Sequence, residues 1–270
     1  MDRPGVRVRI VACLPSRTFL IVDQLGRRLR AAGCVFAEEE AELLIGTDLT
    51  GASLEALVRR RIGGEPLETL LGWVAFAGRR LLVRPGVFVP RRRTELLART
   101  AGEHARPDAV LLELCCGVGP VGATVRAAEI HLGDVDPAAL ECARVNVPSG
   151  QVHLSDLYAD LPATLRGRVN VLAANAPYVP SDQVALMPSE ARDHEPGLAL
   201  DGGPDGVDLH RRIAAQAMDW LSTNGVLVIE TSVSQASLTA GAMHEAGFSS
   251  DVLTDPEIGA CVVVGRRPST

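Results

Sequence analysis

The stretch Leu111-Leu112-Glu113-Leu114-Cys115-Cys116-Gly117-Val118-Gly119 decides the fold. An apolar run of strand length breaks at a glycine turn, and Val121–Ala128 then reads as a helix. A strand that ends in Gly-x-Gly before a helix lets the backbone pass close to a ligand, because glycine has no Cβ. Gly122 lies three positions beyond Gly119. The full G-x-G-x-x-G spacing is therefore met, and glycine counting leaves a nicotinamide cofactor open.

Outward from this point, strands and helices alternate. Strands are predicted over Val110–Cys115, Glu129–Val135, Gln151–Ser155, Val169–Asn175, Gly225–Thr231, Ser249–Thr254 and Cys261–Arg266. Further helices are predicted over Pro137–Asn146, Val207–Leu221 and Ser234–Ala246. Such alternation predicts an α/β fold: a mostly parallel sheet of seven strands with helices on both faces. The short link Asp255–Ala260 makes the last two strands an antiparallel hairpin at one edge.

Toward the N-terminus, Leu20, Ile21, Leu25, Leu29 and Ala32 recur at helical spacing, with Gly33 as the stop. Glu38–Ile45 and Ser53–Ile62 read as two further amphipathic helices, the last capped by Ser53. Residues 1–71 are thus a small all-helical domain. Trp73–Phe76 and Arg80–Val83 flank Ala77-Gly78-Arg79, which makes 72–90 a β-hairpin linker. The α/β domain follows over 91–270, with Thr94 capping a helix that runs to about His104. Pro177–Gly206 holds five prolines and little periodicity; a loop of that length in a compact domain is usually functional or mobile.

Composition narrows the function classes. Of the 270 residues 47% are apolar and only 3% aromatic, so the core is packed mainly by aliphatic side chains. Every one of the 27 basic residues is arginine. A net charge of −6 argues against a broad nonspecific nucleic-acid footprint. Cys13, Cys34, Cys115, Cys116, Cys142 and Cys261 form no C-x-x-C pair, which supports neither a zinc site nor a disulfide framework, and no metal is expected. Met1 to Leu20, broken by Pro4 and Pro15, lacks a signal-peptide core, and no apolar stretch reaches the length of a membrane span. A reducing cytoplasm is the expected location.

The strand ends carry the chemistry. Asp134 closes the second strand of the α/β domain, where a carboxylate can accept hydrogen bonds from both ribose hydroxyls of an adenosine. Its neighbour Asp136 precedes Pro137 and reads as a helix N-cap. The third strand ends at Ser155-Asp156-Leu157, an acid for an adenine amino group and an apolar side chain for the ring. The fourth ends Asn175-Ala176-Pro177-Tyr178. A neutral amide nitrogen is a poor nucleophile because its lone pair is delocalised. The Asn175 side-chain carbonyl and the Ala176 backbone carbonyl can accept its two N–H bonds and aim it for in-line displacement of a methyl group. Pro177 biases Ala176 toward an extended backbone, and the Tyr178 ring can stack on a planar group.

Asn175-Ala176-Pro177-Tyr178-Val179-Pro180 resembles the Asn-Pro-Pro-Tyr motif of amino methyltransferases. Arg60 to Pro66, Pro85-Gly86-Val87-Phe88-Val89-Pro90-Arg91, Thr94-Glu95, Glu195-Pro196 and Leu198 to Gly206 resemble the HemK/PrmC-type glutamine N5-methyltransferases of peptide-chain release factors. The resemblance implies a Rossmann-like class I methyltransferase domain behind a helical substrate-recognition domain. It implies S-adenosylmethionine as cofactor and the glutamine of a release-factor Gly-Gly-Gln as substrate. It assigns Glu113, Cys115, Cys116, Gly117, Val118 and Gly119 to the glycine loop, Asp134 and Val135 to the ribose, and Asp156 and Leu157 to the adenine. Asn175, Ala176, Pro177 and Tyr178 become the catalytic segment, with Asn175 also near the cofactor, and Phe88 and Arg91 border the substrate. The chain departs from the family at Ala176 for proline, at Arg92-Arg93 for a Pro-Glu pair, at Glu113 for aspartate, and in a first helix about one turn short. Two other readings stand beside this one: N6-adenine methylation of nucleic acid, since the same chemistry suits an exocyclic amine, and a cofactor-binding protein with little turnover.

Overall fold

The computed structural model describes residues 16–268; Cys13 and most of the Met1–Leu20 stretch lie outside them. The chain divides into two compact units, one ending at Leu71 and one beginning at Gly72.

In the first unit, α1 (Ser16–Ala31), α2 (Ala37–Ile45), α3 (Gly51–Ile62) and α4 (Leu67–Leu71) pack together. Their core is Val22, Leu25, Leu29, Ala37, Ala41, Leu44, Leu57, Val58 and Leu67. The buried stripe of α1 therefore runs through Val22, Leu25 and Leu29, whereas Leu20 and Ile21, read as part of it, are exposed. Helix α3 starts at Gly51, ahead of Ser53, so Ser53 is not its cap. Arg61 and Glu40 form a buried bidentate pair (2.6 and 3.0 Å) that ties α3 to α2.

The second unit holds the hairpin β1 (Trp73–Phe76) and β2 (Arg79–Leu82), then α5 (Thr94–His104). Ala77 and Gly78 both have positive φ (46° and 75°), the two-residue turn whose twist suits a hairpin. The Asn146 side chain accepts from Leu82 N (2.7 Å) and donates to Leu82 O and Val118 O. Those bonds fasten the hairpin to the α/β body, so it is a covering element of that unit.

The main sheet has the order β5-β4-β3-β6-β7-β9-β8. Its strands are β3 (Val110–Leu114), β4 (Glu129–Asp134), β5 (Gln151–Leu154), β6 (Val169–Ala174), β7 (Leu221–Thr231), β8 (Ser249–Asp255) and β9 (Ala260–Arg266). The first five pair in parallel; β9 lies antiparallel between β7 and β8. Helices α6 (Pro120–Thr124), α7 (Pro137–Asn146), α8 (Ser189–Arg192), α9 (Asp208–Trp220) and α10 (Ala236–Glu245) complete the unit. The period-2 alternation of the strands splits their side chains between two cores. Leu111, Val171, Ala173, Val226, Val228, Val262 and Val264 face α5, α6, α7 and the hairpin. Leu112, Leu114, Leu172, Ala174, Leu227, Ile229 and Val263 face α9 and α10. Both faces being covered explains why these strands read as continuous apolar runs.

Helix α6 stops at Thr124, four residues before the predicted Ala128. The Thr124 hydroxyl donates back to Pro120 O and Val121 O (both 3.0 Å), and Ala128 N is already bonded to Ala109 O on the way into β4. Pro177–Gly206 is an ordered loop with α8, two 3-10 turns and a bridge between Val179 and Asp201.

Under α6 lies a buried acid. Glu113 is on the β3 face covered by α6 and accepts from Val121 N (3.2 Å) and Gly122 N (2.7 Å). Burial pushes its carboxyl up to about 8, against the pull of those two N–H groups. Between the ordinary value of 4.5 and about 8, the folded chain keeps a proton that the unfolded chain has lost. This group's contribution to stability therefore falls as pH rises through that window, by up to about 1.4 kcal/mol per pH unit. Glu113→Gln should flatten that slope. Urea titrations of both proteins between pH 5 and 8 check it; parallel pH profiles would refute it.

Candidate active site

Chain direction changes at β3: the chain leaves it for β4 and β5 on one side and returns to β6 and β7 on the other. A crevice forms at the carboxyl ends of strands where the order reverses. A cavity of about 680 Å³ opens there, lined by Cys115, Gly117, Asp134, Val135, Asp156, Leu157, Asn175, Ala176, Pro177, Tyr178, Phe88 and Arg91. Four strand ends and the segment after the hairpin thus converge on one space.

Four residues read as cofactor contacts lie elsewhere. Glu113, Cys116 and Val118 are buried and, with Gly119, are absent from the lining. Glu113 binds the start of α6, as described above. Gly119, at φ 76°, is the N-cap of α6 and packs beside Val147 and Leu132. These residues shape the turn, and the cavity meets only Cys115 and Gly117 of it.

The turn is pinned from the next strand. Asp134 Oδ2 accepts from Gly117 N at 2.7 Å, and Oδ1 accepts from Asp136 N at 2.9 Å. Burial raises the Asp134 pKa, opposed by these N–H donors. Each oxygen keeps lone-pair capacity for a second donor, so a diol in the cavity can bind the same carboxylate. Asp136 accepts from Ala138 N at 2.8 Å and is the N-cap of α7, as its place before Pro137 predicts. Asp156 sits at the end of β5 but is engaged: Arg212 on α9 donates to its Oδ2 at 2.8 Å. Leu157, at φ 51°, and Val135 supply apolar wall.

At the β6 end, Asn175 Nδ2 donates to the buried Thr94 hydroxyl at 3.2 Å, which leaves Oδ1 to accept from a ligand. Tyr178 is held by its hydroxyl against Glu230 (3.4 Å) and by its carbonyl, which accepts from Gln235 Nε2 (2.8 Å). Burial, followed by the Glu230 charge, pushes the Tyr178 pKa up, so it stays a neutral phenol. His210 on α9 is fully buried, with Nδ1 2.9 Å from the Thr239 hydroxyl. Its pKa is lowered to about 4 by burial, and its Nε2 has no hydrogen-bond partner among the described residues. Arg91 donates to Glu195 Oε2 at 2.6 Å and lies over the Phe88 ring at 5.1 Å.

Several lining residues escaped the sequence reading as contacts: Met187 and Leu198 in the long loop, Leu209 and Arg212 on α9, and Arg93. Reading strand ends cannot find a helix that leans over them. The i, i+3 spacing of Leu209 and Arg212 on α9 was the available signal.

A family model described as "Methyltransferase small domain" matches residues 79–190. The release factor glutamine methyltransferase of Mycolicibacterium smegmatis is 37% identical over 209 residues, 74% of this chain and 74% of that protein. The chain belongs to the release factor glutamine methyltransferase family. A member from Deinococcus radiodurans is 30% identical over 259 residues and covers 87% of this chain and 93% of its own length. Among solved structures, the ribosomal protein L11 methylase of Lactobacillus delbrueckii subsp. bulgaricus superposes with a TM-score of 0.50 at 14% identity. That match covers 69% of this chain and 84% of the other, and it bears on the fold alone.

The cofactor of this methyltransferase family is S-adenosylmethionine, and the residues present fit it. Acceptors for a diol, an apolar wall, a close backbone approach at Gly117 and the Asn175–Tyr178 segment share one cavity. Asp134→Ala should weaken S-adenosylmethionine binding by about 1.5–3 kcal/mol, the worth of a charged hydrogen bond. Calorimetry on the folded variant reads this out; undiminished affinity would remove Asp134 from the ribose assignment.

Proposed function

We propose that the chain transfers a methyl group from S-adenosylmethionine to the side-chain amide nitrogen (N5) of a glutamine, in the Gly-Gly-Gln of a peptide-chain release factor. The observation that carries this reading is the position of Asn175-Ala176-Pro177-Tyr178 in the same cavity as Gly117 and Asp134. The names of the curated relatives support the substrate. S-adenosylmethionine supplies an electrophilic methyl on a sulfonium.

The protein's part is positioning and electrostatics. Asn175 Oδ1 accepts an N–H of the glutamine amide, its own Nδ2 being anchored on Thr94. The Ala176 backbone carbonyl, on the cavity lining, takes the second N–H. Both bonds place electron density on nitrogen and fix its approach. The neutral Tyr178 ring stacks on the planar amide. Phe88, with Arg91 over it, closes one side.

We assign the helical unit over 1–71 to recognition of the protein substrate. Its support is the exposed pair Val35 and Phe36 between α1 and α2, side chains that its own core does not use. Among the described residues no helix is long and apolar enough to cross a membrane. A substrate from the translation machinery places the activity in the cytoplasm.

Labelled methyl transfer into purified release factor, ribosomal protein and DNA, side by side, tests the substrate. Label should appear in the release factor and vanish when its Gly-Gly-Gln glutamine is replaced; label in DNA alone would favour the adenine reading. Asn175→Ala should cost roughly 10²–10³ in kcat, like loss of one oxyanion-hole donor. Ala176→Pro keeps the backbone carbonyl and stiffens the loop, so activity should be equal or higher. If it abolishes transfer while cofactor binding persists, the amide is not held by this backbone.

A further inference from the structure

Three arginines line the cavity: Arg91, Arg93 and Arg212. Arg91 and Arg212 are hydrogen-bonded to carboxylates, Glu195 and Asp156, at 2.6 and 2.8 Å. Arg93 is different. Its guanidinium lies 5.6 Å over the Tyr178 ring, next to the amide-binding segment. The nearest carboxylate is Glu230 at the end of β7, where Arg93 Nε stands 3.4 Å from Oε1. Among the described residues neither Arg93 Nε nor Glu230 Oε2 has a hydrogen-bond partner, and both atoms are buried. Glu230 itself is outside the lining and 1% exposed.

A buried carboxylate is costly unless its charge is compensated or used, and one oxygen of Glu230 is left without a hydrogen bond. Burial raises the Glu230 pKa, while the Thr94 hydroxyl, Arg93 and Tyr178 favour its ionised form. The use follows from the cofactor. S-adenosylmethionine carries a sulfonium cation, and the same cavity presents a guanidinium. Two like charges at one cavity repel, more strongly than in bulk water even with the Arg93 side chain 42% exposed.

We propose that Glu230 is a positioning residue that acts through Arg93: it supplies the counter-charge that makes a cavity holding a guanidinium compatible with a cationic methyl donor. The proposal rests on the S-adenosylmethionine reading of the cavity. Arg93 keeps its place over Tyr178, and the buried carboxylate behind it cancels its field at the donor.

The test uses two ligands that differ in charge. S-adenosylmethionine is cationic at sulfur; S-adenosylhomocysteine has the same adenosine with a neutral thioether. Calorimetry on the full-length protein gives both affinities. Glu230→Gln keeps the shape and removes the charge. It should lower the affinity for S-adenosylmethionine relative to S-adenosylhomocysteine by about tenfold. Arg93→Gln leaves the carboxylate uncompensated and should shift the ratio the other way. The double variant Glu230→Gln, Arg93→Gln should return it to the wild-type value. A role confined to folding or packing would weaken both ligands alike. An unchanged ratio in folded Glu230→Gln overturns the proposal. Should that variant not fold, an unchanged or reduced ratio in Arg93→Gln overturns it. Failure of the wild-type protein to bind either ligand is a different outcome, which would remove the cofactor reading itself.

Discussion

Two buried carboxyl groups hold the turn between β3 and α6, and the geometry of the cavity depends on them. Asp134 takes Gly117 N from the front of the turn, and Glu113 takes Val121 N and Gly122 N from beneath the helix start. The turn needs this restraint because it contains an unfavourable residue: Cys115 has φ 50°, where a Cβ crowds the backbone. Gly117 and Gly119 follow at 52° and 76°, positions that suit glycine. A reversal this tight lets β3 end at the cavity and α6 leave it within a few residues. With α6 only five residues long, packing alone offers little to fix its start. Glu113 is the substitute, and Gly122 allows the approach: a Cβ there would meet Leu132 Cδ2 at 2.8 Å and Glu113 Oε2 at 3.3 Å.

The same economy appears at the other cavity walls, where a charged side chain that faces the cavity is fixed by a partner from a distant element. Arg91 is held by Glu195 of the long loop, which also accepts from Val89 N at 3.2 Å. Arg212 of α9 is held by Asp156 after β5. The Arg212–Asp156 pair, half-exposed, sets geometry more than it stabilises the fold, since such pairs contribute about 0–1 kcal/mol. The effect of both pairs here is to hold Arg91 and Arg212 in place, while Asp134 and Asn175 keep acceptor capacity toward the cavity.

Much of this was legible in the residues. Period-2 and helical spacing located all seven strands of the main sheet and the long helices of the α/β unit, because both faces of the sheet are covered and the apolar pattern is strong. Strand ends pointed to Asp134 and Asn175, and both line the cavity. The misses have physical causes. The stripe of α1 was misplaced by Leu20 and Ile21, apolar residues that its own unit leaves exposed. Glu113, Cys116, Val118 and Gly119 sit inside a motif whose outer residues alone reach the cavity. No local pattern reports that Thr94, a helix-start residue in sequence, is buried and anchors Asn175 at a distance of 81 positions along the chain.

The long loop explains how a chain can carry Ala176 where the family has proline. Proline there would stiffen the segment through its own ring. In this chain the stiffness comes from outside. Val179 N bonds Leu200 O at 3.2 Å, and Gly202 N bonds Val179 O at 2.8 Å. Gln235 Nε2 bridges the Tyr178 and Asp205 carbonyls at 2.8 and 2.9 Å, its own Oε1 fixed by Ser232. The loop can come this close only because Gly202 has no side chain: a Cβ would stand 2.7 Å from both Pro177 O and Tyr178 Cα. A peptide clasped from two sides by hydrogen bonds does not need a ring to hold its direction. The substitution therefore alters the means by which the Asn175–Tyr178 backbone is fixed and leaves its acceptor groups in place.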